Sequence, residues 1–399
     1  MGIDKERDFE RVQQIVEELA PELKKLALDI HANPELGRQE VKACQWQEEL
    51  LGKYGFEIEH AICGIPTAYK AVYKGNKPGP KMAMLAEYDA LPDLGHACGH
   101  NLIAMIGVGS GIAMREFVDK YGGEIHVIGT PAEETEGLKV ELSARGTFKE
   151  YDVAMMAHPA HIHATSMDTS AMIARKFEFF GHPAHAAVSP EEGVNALDGM
   201  INFYNLVNAL RQQTKDDARI HGVITNGGSA ANVIPEYTEA LFYVRAHKMS
   251  YVQELLKKIE ACAEGAAVGT GCTVKVTPVE ADYKDTKSNR TLDRLVCKQL
   301  ETLGLDVVDM SNTVIGGSSD FGDVSYECPG VQMSVGLGES VSGKPYFAHE
   351  HEFALQTKSE QGLANSLEFV KAFVMTGIEL MTEPEHLKAI KEEFDKAAK

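Results

Sequence analysis

The chain has 399 residues, 44% of them hydrophobic and 25% charged. These are the proportions of a globular protein with a sizeable core, and they exclude a disordered, collagen-like or coiled-coil chain. Lys and Arg number 39 against 59 Asp and Glu, a formal net charge of −20; so acidic a surface repels polyanions, and neither nucleic acid nor an anionic membrane is expected as a partner.

At roughly 150 residues per domain the length predicts two or three domains. The charged start, Met1–Glu10, has no apolar core of a signal peptide, and no apolar run reaches the length of about 18 residues needed to span a membrane. The longest apolar stretch, Ile103–Met114, contains glycine and is too short. Seven cysteines, at 44, 63, 98, 262, 272, 297 and 328, are odd in number and scattered. They suggest no disulfide framework, and a reducing cytoplasm is the expected compartment.

In chain order, residues 8–30 carry apolar side chains at helical spacing, with Pro21 predicted to start a second helix or kink the first. Residues 81–87, 124–129 and 152–157 read as buried strands, and 101–118 as a buried helix. Strands alternating with helices predict an α/β sheet covered on both faces, with function at strand ends. From 171 the grammar changes. A strand at 171–180, a helix at 194–213, strands at 218–225 and 236–246, a helix at 251–266 and a strand at 272–279 form a β-α-β-β-α-β order, the ferredoxin-like unit. It is expected as an inserted domain over 170–283, with 1–169 and 284–399 forming one discontinuous domain around it. A helix at 291–303, a strand at 330–336 and two long helices, 359–381 and 385–398, complete the predicted elements.

The strongest local motif is Gly95-His96-Ala97-Cys98-Gly99-His100-Asn101, between a strand with its loop and a helix. Cys98 and His100 reach one small volume if the backbone turns, which Gly99 permits. Thiolate and imidazole suit zinc; a structural cysteine beside a capping histidine is an equal account of the motif alone. Glu133 and Glu134 follow the strand at 124–129. Adjacent carboxylates repel unless a cation or proton intervenes, so one can bind metal while the other handles protons; a solvated acidic turn is the plainer account. His158-Pro159 follows another apolar strand, His185 lies in Gly181-His-Pro-Ala-His, and His349 and His351 share the loop before the last helices.

Taken in order, His31-Ala-Asn-Pro-Glu-Leu, Glu87-Tyr-Asp-Ala-Leu-Pro, His96-Ala-Cys-Gly-His-Asn, Pro131-Ala-Glu-Glu, His158-Pro, Gly181-His-Pro-Ala-His-Ala-Ala, Asn232-Val-Ile-Pro and His349 four positions before Phe353 resemble the M20 metallopeptidase and amidohydrolase family, in its Cys-Gly-His branch. The resemblance spans essentially the whole chain. Asn101, where an aspartate is usual, is more similar to the aminobenzoyl-glutamate hydrolase and aminoacylase-1-like-2 subgroup. The resemblance implies an α/β, mixed-sheet metallohydrolase catalytic domain with an inserted ferredoxin-like α+β lid and dimerisation domain. It also implies two divalent ions, Zn2+ or Mn2+, bound by Cys98 as bridging thiolate with His100, Glu134, His158 and His349, His351 being the alternative to His349.

By the same resemblance Glu133 is the general base, taking a proton from the attacking water and returning it to the leaving nitrogen, and Asp89 orients the ligands. His185 is assigned to the oxyanion, with His221 as a second candidate, and Asn232 and Arg245 to the substrate's carboxylate or backbone. Gly227, Gly228 and Ser229, and the loop Gly316-Gly-Ser-Ser-Asp320, are further substrate-side candidates, while His96, His161 and His163 are expected as lining or structural. The implied reaction is hydrolysis of the amide bond of a dipeptide or an N-acyl or N-aroyl amino acid by a homodimer or homotetramer. Two other readings compete: a cysteine hydrolase with Cys98 as nucleophile and His100 as base, and a non-catalytic metal- or peptide-binding protein of the same fold. Cysteine and histidine two apart on a turn make a poor nucleophile–base pair, which also leaves Glu133, Glu134 and His349 without a role.

Overall fold

The computed structural model describes residues 4–397. Met1, Gly2 and Ile3 of the charged start, and Ala398 at the expected end of the last helix, lie outside the described residues. Two compact units are present: Met1–Asp168 with Thr286–Thr313 and Asp323–Lys399, and Thr169–Asp285 with Val314–Gly322. The sequence pattern assigns Val314–Gly322 to the discontinuous domain, and the structure places it in the second unit instead. There Arg245 Nη1 donates to Ser318 Oγ at 2.9 Å and Ser170 Oγ to the Ile315 carbonyl at 2.8 Å, contacts that no local pattern encodes.

The first unit is built on a six-stranded sheet, ordered Glu57–His60, Tyr69–Lys74, Glu124–Gly129, Lys81–Ala86, Val153–Ala160 and Gly330–Gly336. The last four run parallel, and Tyr69–Lys74 is antiparallel to both its neighbours. The sheet is therefore mixed. Because Lys81–Ala86, Glu124–Gly129 and Val153–Ala160 are adjacent and parallel, their carboxyl ends open on one edge, where α/β sheets place their sites. Every residue from His100 to Met114 is buried in the helix His100–Tyr121. An apolar pattern on all sides marks a core helix. By length and composition this is the one described helix that could span a membrane, and 89% of its most apolar window is buried inside the protein. It packs against the helices Lys5–Ala32 and Glu360–Thr382.

The first helix runs unbroken from Lys5 to Ala32 with Pro21 inside it, where the sequence suggests a break or kink. Proline removes one backbone hydrogen bond, but Val12, Ile15, Val16, Leu19, Leu23, Leu26 and Ile30 continue one buried stripe across it. Elements with no clear signal in the sequence include the helices Val41–Lys53, Leu138–Ala144 and His351–Gln356, the strands Glu57–His60 and Tyr69–Lys74, and the short helix Phe321–Glu327.

In the second unit the predicted order is present: Ala171–Phe180, Ala196–Leu210, Arg219–Asn226, Tyr237–Ala246, Met249–Thr270 and Thr273–Pro278. The four strands form an antiparallel sheet ordered Thr273–Pro278, Ala171–Phe180, Tyr237–Ala246, Arg219–Asn226. This is the ferredoxin-like topology. Along Tyr237–Ala246 buried and half-buried residues alternate strictly, so one sheet face is covered by the two helices. Phe177, Phe203 and Phe242 pack at its centre, with Phe177 and Phe203 ring centroids 4.6 Å apart.

Candidate metal centre

Three strand ends and two loops of the first unit bring the expected ligands together. Asp89 lies just beyond Lys81–Ala86, and Glu133 and Glu134 beyond Glu124–Gly129. His158 sits inside the strand Val153–Ala160, which runs three residues further than its apolar pattern suggests. Cys98 and His100 flank Gly99, whose φ of +86° opens the helix His100–Tyr121. A Cβ on Gly99 would meet Pro159 Cγ at 2.6 Å, so only glycine lets this turn lie against the neighbouring strand end. His349 has a φ of +69°, and its backbone N–H donates to the Ala97 carbonyl at 2.9 Å, tying the distant loop to the Cys98 turn.

The donor atoms lie at coordinating separations. Cys98 Sγ is 3.4 Å from His158 Nε2. Glu134 Oε1 is 3.4 Å from His349 Nε2 and 3.7 Å from His100 Nε2. Atoms sharing a tetrahedral cation at about 2.0–2.3 Å stand roughly 3.3–3.8 Å apart. Cys98, His100 and His158 form one mutually close trio, Cys98, Glu134 and His349 a second, and His100, Glu133 and Glu134 a third. Cys98, His100 and Glu134 each belong to two of them, so the trios overlap in one continuous donor cluster. His100 Nε2 and Glu134 Oε1 are buried and find no aligned hydrogen-bond partner, and a buried orphan atom of this kind is costly unless something binds it. Soft sulfur, imidazole and carboxylate together suit zinc or manganese. The residues present therefore fit a divalent metal pair.

The local electrostatics have the same cause. Burial would lower the His100 imidazole, but the carboxylates of Asp89 and Glu87 outweigh it and hold the group well above its ordinary value. Burial, then Glu134, push the Cys98 thiol up. Burial also opposes ionisation of Glu134, yet the nearby imidazoles of His349 and His100 hold its carboxyl low. The pocket thus gathers several carboxylates around its nitrogen and sulfur donors, a setting that favours a bound cation. A cysteine nucleophile gains nothing here, because acidic neighbours disfavour a thiolate unless a cation compensates it.

Asp89 holds the cluster from behind. Its Oδ1 is 2.7 Å from His100 Nδ1, which leaves Nε2 to face the donor cluster, and its Oδ2 accepts the Glu134 backbone N–H at 2.9 Å. His351 starts the helix His351–Gln356, is exposed, and joins none of the three trios. His96 is buried, with its imidazole lowered to about 3 by burial and by His100. His161 packs on Tyr346, centroids 4.7 Å apart. His163 Nδ1 accepts the Gly336 N–H at 3.1 Å, and its ring stacks on Phe369.

The remaining candidates belong to the second unit. His185 and Asn232 lie on two joined segments: His185 bridges to Val233, and Ala186 N–H donates to the Asn232 carbonyl at 3.0 Å. His221 stacks on Tyr243, with rings 5.5 Å apart and 4° from parallel. Arg245, two residues on, lies 5.8 Å from the same ring. Back in the first unit, sequence reasoning misses Glu40 and Lys139 and gives Glu87, quoted within a motif, no role; each is 0% exposed. Glu40 lies 92 positions from Ala132 in the acidic turn, and a single lysine in a short helix carries no motif.

Residues 170–270 match the peptidase dimerisation domain family. The Xaa-Arg dipeptidase of Mus musculus is 35% identical over 401 aligned residues, covering 96% of this chain and 91% of the relative. A p-aminobenzoyl-glutamate hydrolase polypeptide of Escherichia coli K12 is 32% identical, over 70% of this chain and 62% of the relative. Among solved structures, a dinuclear metal-binding M20 peptidase from Bacillus subtilis superposes with a TM-score of 0.68 at 18% identity, covering 91% of this chain and 99% of that one. At that identity the likeness speaks for the fold.

Proposed function

Since the chain belongs to the M20 peptidase family, and is with it a hydrolase acting on C–N bonds, we propose that it is a metal-dependent dipeptidase. Its substrate is a dipeptide with a free C-terminal carboxylate and a basic C-terminal residue. The observation that carries the reading is the convergence of Cys98, His100, Glu134, His158 and His349 around shared donor trios, with Glu133 beside them. These five side chains are assigned as holders of two divalent cations, zinc or manganese, which when bound polarise an amide carbonyl and make water acidic.

Glu133 is assigned as the general base. It takes the proton of the attacking water and hands it to the leaving nitrogen, which departs only when protonated. Glu134, its neighbour, is left to ligation, so the two carboxylates do not compete for one role. Asp89 keeps the His100 lone pair on Nε2 directed at the cation. In the second unit His185, or alternatively His221, is assigned to the oxyanion, and Asn232 and Arg245 to the substrate's carboxylate and backbone.

The near full-length relatives named as Xaa-Arg dipeptidases support the substrate class. The net charge of −20 supports it too, since an acidic protein attracts a cationic substrate and repels an anionic one. An N-aroyl glutamate is the second reading, favoured by the aminobenzoyl-glutamate hydrolase relative. A homodimer or homotetramer is proposed from the dimerisation-domain match. A reducing, cytoplasmic setting is proposed from the seven free cysteines.

A panel of Xaa-Arg and Xaa-Lys dipeptides, neutral dipeptides and aminobenzoyl-glutamate, assayed before and after chelation and after return of Zn2+ or Mn2+, tests the proposal. Turnover of the basic dipeptides that vanishes with the metal and returns with it is expected. Undiminished turnover after complete metal removal would overturn the metal reading. Selective cleavage of aminobenzoyl-glutamate would replace the substrate class.

A further inference from the structure

Glu87 directly follows the strand Lys81–Ala86, and Lys139 lies in the first turn of the helix Leu138–Ala144. Both are 0% exposed, and Lys139 Nζ is 2.6 Å from Glu87 Oε1. The other oxygen of Glu87, Oε2, is 3.4 Å from His100 Nε2, the atom that also faces Glu134 and Glu133. A fully buried lysine is rare unless paired. Such a pair is on average no more stabilising than apolar side chains of the same volume. Stability alone therefore does not explain its place beside His100.

Charge does. With Cys98 as thiolate, the pocket holds five anionic groups: Cys98, Glu133, Glu134, Asp89 and Glu87. Lys139 cancels one of them. The remaining four negative charges equal the charge of two divalent cations. We propose that Glu87 and Lys139 are positioning residues that match the charge of the metal pocket to two divalent ions, Lys139 neutralising Glu87 while Glu87 faces His100 Nε2. The inference rests on the metal reading proposed above.

The test measures binding of Mn2+ alone, by equilibrium dialysis with metal analysis, and apo-protein melting, in wild type, Glu87→Gln, Lys139→Met and the double variant. Glu87→Gln leaves a buried cation beside His100 and is expected to weaken metal binding by about tenfold or more. Lys139→Met leaves one anion in excess, so its apo form melts lower and binds metal more tightly. The double variant restores the balance and returns affinity toward wild type. A pair that is only structural would lower apo stability in both single variants and leave the affinity order unchanged, which would overturn the proposal. So would a double variant binding as weakly as Glu87→Gln. Should Lys139→Met not fold, the order of the other three proteins decides. Wild-type protein that binds no Mn2+ would instead sink the underlying metal reading.

Discussion

Glu40 Oε1 accepts the backbone N–H of Ala132 at 2.7 Å, across 92 positions of sequence. Ala132 has a φ of +57°, an uncommon conformation for a residue with a Cβ. Two residues later Glu134 N–H is held by Asp89 Oδ2. The turn that presents Glu133 is thus pinned on both sides by carboxyl groups from other elements.

Glu40 gives the protein a pH signature. Burial, reinforced by Asp89, raises its carboxyl to about 7, from 4.5 in an open chain. The folded state then holds the proton more tightly, so stability from this group is full below pH 4.5, falls between 4.5 and 7, and is flat above. Glu40→Gln keeps an acceptor for Ala132 N–H and removes the titration. Urea unfolding across this range should show the variant gaining on wild type by on the order of 3 kcal/mol by pH 8. Parallel curves for the two proteins would contradict this.

Asp89→Asn should weaken metal binding without unfolding the protein. One amide oxygen replaces two carboxylate oxygens that now serve His100 Nδ1 and Glu134 N–H. Loss of about 10–100-fold in metal affinity is expected, read by titration against a fluorescent chelator.

Gly99→Ala combines a positive φ with a Cβ placed 2.6 Å from Pro159 Cγ and 3.2 Å from Thr357 Cγ2. The expected cost is at least about 2 kcal/mol in chemical denaturation, accompanied by weaker metal binding, because the same turn carries Cys98 and His100.

Removing the metal should lower the melting temperature as well as activity. A ligand at a thousand times its dissociation constant stabilises by about 4 kcal/mol. Calorimetry with and without chelator checks it, and Cys98→Ala should lose most of the difference.

Much of this architecture is readable from local pattern. Continuous apolar runs mark Lys81–Ala86 and Glu124–Gly129, and alternation marks Ala171–Phe180 as a half-exposed strand. Residues such as Cys98, Glu133 and Glu134 stand out because metal and proton chemistry use few side-chain types. The polar helix Val41–Lys53 carries no such cue, with only Ala43, Cys44, Gln47 and Leu51 buried. The order of apolar and polar residues along the chain is enough to specify most elements and the β-α-β-β-α-β order, because those depend on neighbours a few positions away. Which imidazole of the 349–351 loop meets Glu134, that Glu40 grips Ala132, and that Lys139 is buried against Glu87 are decided only by tertiary packing. These contacts join strands and helices far apart in sequence, and a buried charge finds its partner by where the backbone carries it, not by any spacing written in the chain.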